Sequence, residues 1–317
     1  MRAGVAAAFR ALLVAALLAS AGAAAAETPT LNGFRLDPRG IDVREILPGG
    51  PGRDGIPALD HPPAVAAGDS PWPADAAVLG VVRNGEARAY PIAILVWHEL
   101  VNDTLGGSPI LVSYCPLCGT GIVFDRRRGG SDRSFGVSGL LYRSDLLLYD
   151  RESESLWSQI LGEAVTGPSQ GQRLAQVRSR MTTWGRWREA HPASSVLSRD
   201  TGHSRSYGAT PYGDYETSER ILFPVPRDRR YHPKTPTVGL RVPGGAARAY
   251  PAPELERAGG VVQESFAGQP VRVAYDPELR RFEVEAPASV EVVEGFWFAW
   301  ASFHPDTSVY TAVEEHP

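Results

Sequence analysis

Cys115 and Cys118 are the only cysteines in the chain, and they stand three positions apart in Tyr114-Cys115-Pro116-Leu117-Cys118-Gly119. Sulfurs at this spacing support three chemistries. Two thiolates can share one soft ion at about 2.3 Å each for zinc, with Gly119 letting the backbone turn beneath it. They can exchange with other thiols, although that chemistry usually has the first cysteine opening a helix that lowers its pKa. They can close a structural disulfide, but so short a loop constrains the unfolded chain by only about 2 kcal/mol. Two sulfurs do not complete a zinc site, and His98, in Trp97-His98-Glu99, is the candidate third ligand. A Cys₂His set is soft enough for copper(I) and open enough for catalytic zinc.

The elements that must position these side chains follow from the flanking pattern. Ile110-Leu111-Val112 and Ile122-Val123-Phe124 read as two strands, so the sulfurs fall on the tip of a tight hairpin. Asn84-Gly85 predicts a second hairpin upstream, and Pro91 can open a helix over Ile92–Leu100. A related order returns later. Ala247-Arg248-Ala249-Tyr250-Pro251 repeats Ala87-Arg88-Ala89-Tyr90-Pro91, and Trp297-x-x-Trp300 with His304-Pro305 repeats Trp184-x-x-Trp187 with His191-Pro192. The pattern predicts a β-rich α+β fold made of two unequal copies of a hairpin–helix–hairpin unit, packed as an internal duplication.

The expected boundaries are an irregular extension over 27–78, a first repeat over 79–197 with an insertion at 126–180, a linker over 198–237 and a shortened second repeat over 238–317. In the second repeat Asp276 stands where Cys115 stands in the first, and Ala258 faces His98. The sulfurs and His98 are therefore lost together, which groups them as one site. His191 and His304 persist in both repeats at helix ends before a proline, a structural placement.

Composition narrows the function classes. Residues 1–26 run from Arg2 through an apolar core to an Ala-x-Ala exit, the form of a secretory signal peptide. The chain is then periplasmic or secreted, with no other run apolar enough to cross a bilayer. Its formal net charge is −4, and no basic stripe or phosphate-cradling glycine loop is present, so nucleic acid is not an expected partner. A protein or a small molecule is. Lys234 is the only lysine among otherwise arginine cations.

Several spaced segments resemble a known family. They are Tyr114-Cys115-Pro116-Leu117-Cys118, Phe124-Asp125-Arg126, Val137-Ser138-Gly139, Tyr149-Asp150-Arg151, Leu156-Trp157-x-Gln159 and Trp184-x-x-Trp187. From about Leu79 to the C-terminus the chain resembles the bacterial and archaeal family known as domain of unknown function 3179. The resemblance implies no assigned reaction. It marks the cysteines as redox or metal candidates, and Ser138, Ser144, Asp150, Arg151, Trp157 and Gln159 as candidates for ligand binding. Cys-Pro-Leu-Cys-Gly also resembles one metal knuckle of rubredoxins, whose second knuckle is absent. Ser138 is not in a nucleophile elbow, because Leu140 holds the place of the required glycine.

The leading expectation is an exported protein binding a soft metal ion, copper ahead of zinc, with redox or metal-delivery chemistry as an extension. The alternatives are an extracytoplasmic thiol–disulfide oxidoreductase and a ligand-binding module with a structural disulfide. Intact-mass analysis of exported protein should show a chain beginning just after Ala26; a full-length chain retaining residue 1 would remove the signal-peptide reading.

Overall fold

Asn84 and Gly85 both take left-handed φ angles, 50° and 82°. This closes strands Ala77–Arg83 and Glu86–Pro91 into the expected hairpin, in register from Arg83↔Glu86 to Val78↔Pro91. Gly106 and Gly107, at 54° and 69°, do the same between Leu100–Leu105 and Ser108–Cys115. Pro91 then caps the helix Ile92–His98. This computed structural model describes residues 29–312, so the expected signal peptide lies outside them.

The strands of the described residues assemble into five sheets of three to five strands, with two short hairpins besides. The cysteine sheet runs 175–177, 120–125, 108–115, 100–105 and 59–60. A second sheet runs 163–166, 156–158, 145–150, 135–142 and 46–48. A third runs 179–183, 77–83, 86–91, 195–197 and 64–66. The C-terminal half supplies a four-stranded sheet, 291–296, 236–241, 247–251 and 308–309, and a three-stranded one over 261–285.

Together the sheets form a five-blade β-propeller, 42% strand and 12% helix. This corrects the expected α+β fold of two hairpin–helix–hairpin copies. The unit that recurs is a sheet, and the four α-helices among the described residues are connectors of six or seven residues. The stretch 126–180, read as an insertion, builds most of a sheet as large as its neighbours. Its central strand, Asp145–Asp150, is buried along its whole length. None of the helices among the described residues is long and apolar enough to cross a membrane.

The repeated sequence segments do the same packing work in two blades. A Cβ on Gly80 would collide with the Trp187 indole, and one on Gly239 with the Trp300 indole. Each indole N–H is anchored, Trp187 on Ser194 Oγ at 2.8 Å and Trp300 on Thr307 Oγ1 at 3.0 Å. His191 and His304 lie against those rings, with centroids 4.2 and 4.1 Å apart. Apolar burial is divided among three clusters, and the cysteine sheet feeds two of them. Leu111, Ile122 and Phe124 face one cluster, while Ile110, Val112 and Val123 face the other, so this sheet is covered on both faces.

Gly239→Ala should therefore lower stability by about 1–3 kcal/mol, the usual cost of overpacking. The midpoint of urea unfolding reads this, with Gly208→Ala as the control, since nothing lies within 4 Å of a Cβ there. Equal midpoints for the two variants would contradict the close approach of backbone and indole.

Candidate metal centre at the cysteine hairpin

The cysteine strands pair from Asp125↔Ile110 to Thr120↔Cys115, which leaves residues 116–119 for the turn. The Cys118 N–H donates to Cys115 O at 3.2 Å, folding the turn back beneath the sulfurs. Gly119 sits at φ +62°, and a side chain there would press into the Phe296 ring. Cys118 O accepts from Phe296 N–H at 2.8 Å and from Thr120 Oγ1 at 3.2 Å. The turn is thus clamped from above by strand Glu291–Phe296 of another sheet. Both cysteines are free and buried.

A second turn meets the first. Tyr142 pairs with Asp145 across Arg143 and Ser144, which both hold left-handed φ angles of 51° and 66°. Non-glycine residues reach that region at some cost, so surrounding contacts must hold the turn. Arg143 supplies them, donating to Glu45 at 2.7 Å and to Ser302 O at 2.7 Å. The result brings Ser144 O to 3.4 Å from Cys118 Sγ and 3.9 Å from Cys115 Sγ. It also carries a carboxylate oxygen of Asp145 to the sulfurs, so that one donor atom from each of the three residues lies within 4.8 Å of the others.

Burial sets the protonation of this cluster. It pushes both thiols up, with the hydrogen bond between them offsetting part of the rise at Cys115. Asp145 is pushed up to about 7 by burial, against the opposing Ile160 N–H and the cysteine side chains. Glu99 is pushed up to about 8 by burial and by the nearby Asp145. Lys234 is pulled down to about 8 by burial, while the two sulfurs act in the opposite direction. Its ammonium stands 3.1 Å from the centre of the Tyr215 ring.

Several buried polar atoms around the hairpin have no hydrogen-bond partner among the described residues. They are Ser144 Oγ, Asp145 Oδ1, Gln159 Oε1, Tyr215 OH and Lys234 Nζ. Buried polar atoms are normally satisfied, so a cluster of orphans is a mark of a site that receives something.

The sequence candidates divide in two. Ser144 and Gln159 reach the hairpin, Gln159 by donating to Ser113 Oγ at 3.0 Å and Thr120 O at 3.1 Å. Ser138 instead occupies a bulge, its hydroxyl donating to Leu147 O and accepting from Leu140 N–H. Asp150 accepts from Arg133, Trp157 Nε1 and both the N–H and hydroxyl of Ser153, which makes it a structural hub for Trp157. Arg151 pairs with Asp60 at 2.8 Å. His98, buried and outside the sulfur cluster, has both ring nitrogens engaged, one with Pro57 O at 2.8 Å and one with Tyr207 OH at 2.7 Å.

Asp145, Glu99 and Lys234 were not among the sequence candidates. Lys234 carried a signal, as the only lysine in the chain. Asp145 carried none, because only the pairing of Tyr142 with Asp145 aims it at the sulfurs.

A family model described as protein of unknown function (DUF3179) matches residues 53–290, which include every residue of this centre. No curated protein and no solved structure matches the chain.

Glu99 gives the centre a pH signature in metal-free protein. Its folded pKa of about 8 stands above the ordinary glutamate value of 4.5, so between the two the folded state holds a proton that the unfolded state has released. The contribution is complete below pH 4.5 and is lost as pH rises through about 8. Metal-free Glu99→Gln should flatten the decline in unfolding free energy over that window. Parallel pH profiles for variant and parent would contradict the burial of this carboxyl.

Proposed function

We propose that this chain, which belongs to the family of unknown function DUF3179, binds a borderline-soft divalent ion, zinc ahead of copper, in an extracytoplasmic compartment. Cys115, Cys118 and Asp145 would hold it. The observation that carries this reading is the convergence of two buried sulfurs and one buried carboxylate within 4.8 Å. The orphaned Asp145 Oδ1 and Ser144 Oγ beside them fit the same reading.

The proposed donor set favours zinc. Copper(I) is served by thiolate, thioether and imidazole, whereas a carboxylate is a hard donor that zinc accepts readily. The structure places a carboxylate at the sulfurs and keeps His98 bonded elsewhere. With Asp145 rather than His98 beside the two sulfurs, the proposed donor set favours zinc over the copper expected for a Cys₂His set. Three protein donors are also the usual number in zinc sites that keep a fourth position open.

Charge balance supports the assignment. Two thiolates and a carboxylate around a divalent ion leave one net negative charge. Lys234 supplies the matching positive charge from a position where burial without an anion would be costly. When bound, the ion would hold the sulfurs as thiolates and act as a Lewis acid. Thiol–disulfide exchange fits less well, since both thiols are pushed up rather than down and neither opens a helix.

Elemental analysis of exported protein purified without chelator should find close to one zinc per chain. Cys115→Ser and Cys118→Ser should abolish it, and Lys234→Met should weaken affinity about 10–100-fold, as for other groups that support metal ligands. Unchanged metal content in the double cysteine variant, or a Cys115–Cys118 disulfide in the exported form, would overturn the proposal.

A further inference from the structure

A cavity of about 700 Å³ opens beside the cysteine turn. That volume lies within the range of small-molecule sites, roughly 300–1,000 Å³. Its walls are mostly apolar, with Ile56, Trp97, Leu141 and Phe223 among them. Leu117, the residue between Pro116 and Cys118, lines it as well, so the cysteine turn itself forms part of the wall. The 198–237 segment supplies the opposite side through Tyr212, Leu222 and Phe223. Leu222 is 45% exposed, one of few large apolar side chains so exposed among the described residues.

One acid and one arginine, Glu99 and Arg205, are the charged residues in the lining. Glu99 is held in place by its backbone. Its N–H donates to Leu95 O at 2.8 Å, and its carbonyl accepts from Tyr114 N–H at 2.8 Å, one residue before Cys115. It adopts φ 59°, a position unusual for a glutamate at a helix end. Its carboxyl makes no hydrogen bond or ion pair among the described residues. A buried acid in a left-handed position, on the wall of an apolar cavity and with no protein partner, is placed to meet a guest.

We infer that this cavity is a binding site for a small, largely apolar, uncharged organic molecule with one hydrogen-bonding oxygen. The oxygen sits at Glu99, and the apolar body lies along Trp97, Leu117 and Phe223. A strongly charged molecule is disfavoured, because most of it would lie desolvated against apolar walls. Leu222 closes over the apolar end, which accounts for the exposure of a large aliphatic side chain at the mouth. The oxygen end reaches the side of the cavity nearest the cysteine turn, so the guest lies next to the proposed metal centre. The site does not require an ion to be bound.

The test is a ligand-observed NMR titration of the mature chain with 4-phenylbutanamide, with zinc content measured on the same sample. Saturable binding with a dissociation constant below about 1 mM is expected, and acetamide, which lacks the apolar body, should bind at least about tenfold more weakly. Leu222→Asp, at an exposed position that leaves folding intact, and Glu99→Ala should each weaken binding at least about fivefold. Absent binding, or binding unchanged in both variants, overturns the cavity assignment. Zinc bound without the amide would remove this site and leave the metal centre standing. The amide bound by parent protein that holds no zinc would leave this site standing and remove the metal centre, and the amide bound by Cys115→Ser protein would uphold this site independently of the ion.

Discussion

A carboxyl group and two thiols share a space that water does not reach. Each is an acid whose charged form is penalised there, and burial pushes all three upward. Without a cation the two thiols keep their protons, and Asp145, pushed up to about 7, keeps its own only below neutral pH. In the proposed zinc-bound state the same atoms would form a matched donor set, and the nearby Lys234 ammonium would acquire an anionic partner. Much of the surrounding architecture serves to hold these groups together against that penalty.

The centre is a joint between sheets. Cys115 and Cys118 come from one sheet, and Asp145 comes from the turn of another. A third sheet closes the joint, with Phe296 N–H on Cys118 O. The segment just before that sheet contributes too: Thr235 O accepts from Trp297 N–H and Pro233 O from Phe298 N–H, which fixes Lys234 between them. The centre can exist only after elements distant in sequence have packed. Gly119 and Gly295 leave room for the joint, since a Cβ on Gly119 would press into the Phe296 ring and one on Gly295 would strike Thr120 and Cys118 O.

Local chemistry was legible in the sequence wherever a short segment decides its own conformation. The cysteine turn, the Asn84-Gly85 hairpin and the Pro91 helix start are of that kind. Architecture was not, because alternating apolar residues show that strands exist but do not show which sheets they join. Segment 126–180 therefore read as an insertion although it builds most of a sheet, and the repeated Ala-Arg-Ala-Tyr-Pro and Trp-x-x-Trp segments read as whole copies of an α+β unit. The buried cluster was half legible. Sulfur spacing singled out Cys115 and Cys118, and Ser144 and Gln159 do approach them. His98 was chosen because it disappears together with the sulfurs, yet its ring nitrogens are occupied by Pro57 and Tyr207. Asp145 depends on a left-handed turn at Arg143-Ser144, two residues that do not advertise one.

The most direct test of the centre is zinc-edge X-ray absorption on the loaded protein, because it reads the donor atoms rather than the metal content. The account predicts two sulfurs at about 2.3 Å with oxygen at about 2.0–2.2 Å, and loss of the protein oxygen contribution in Asp145→Ala. A shell without sulfur, or one containing an imidazole that disappears in His98→Ala, would contradict it.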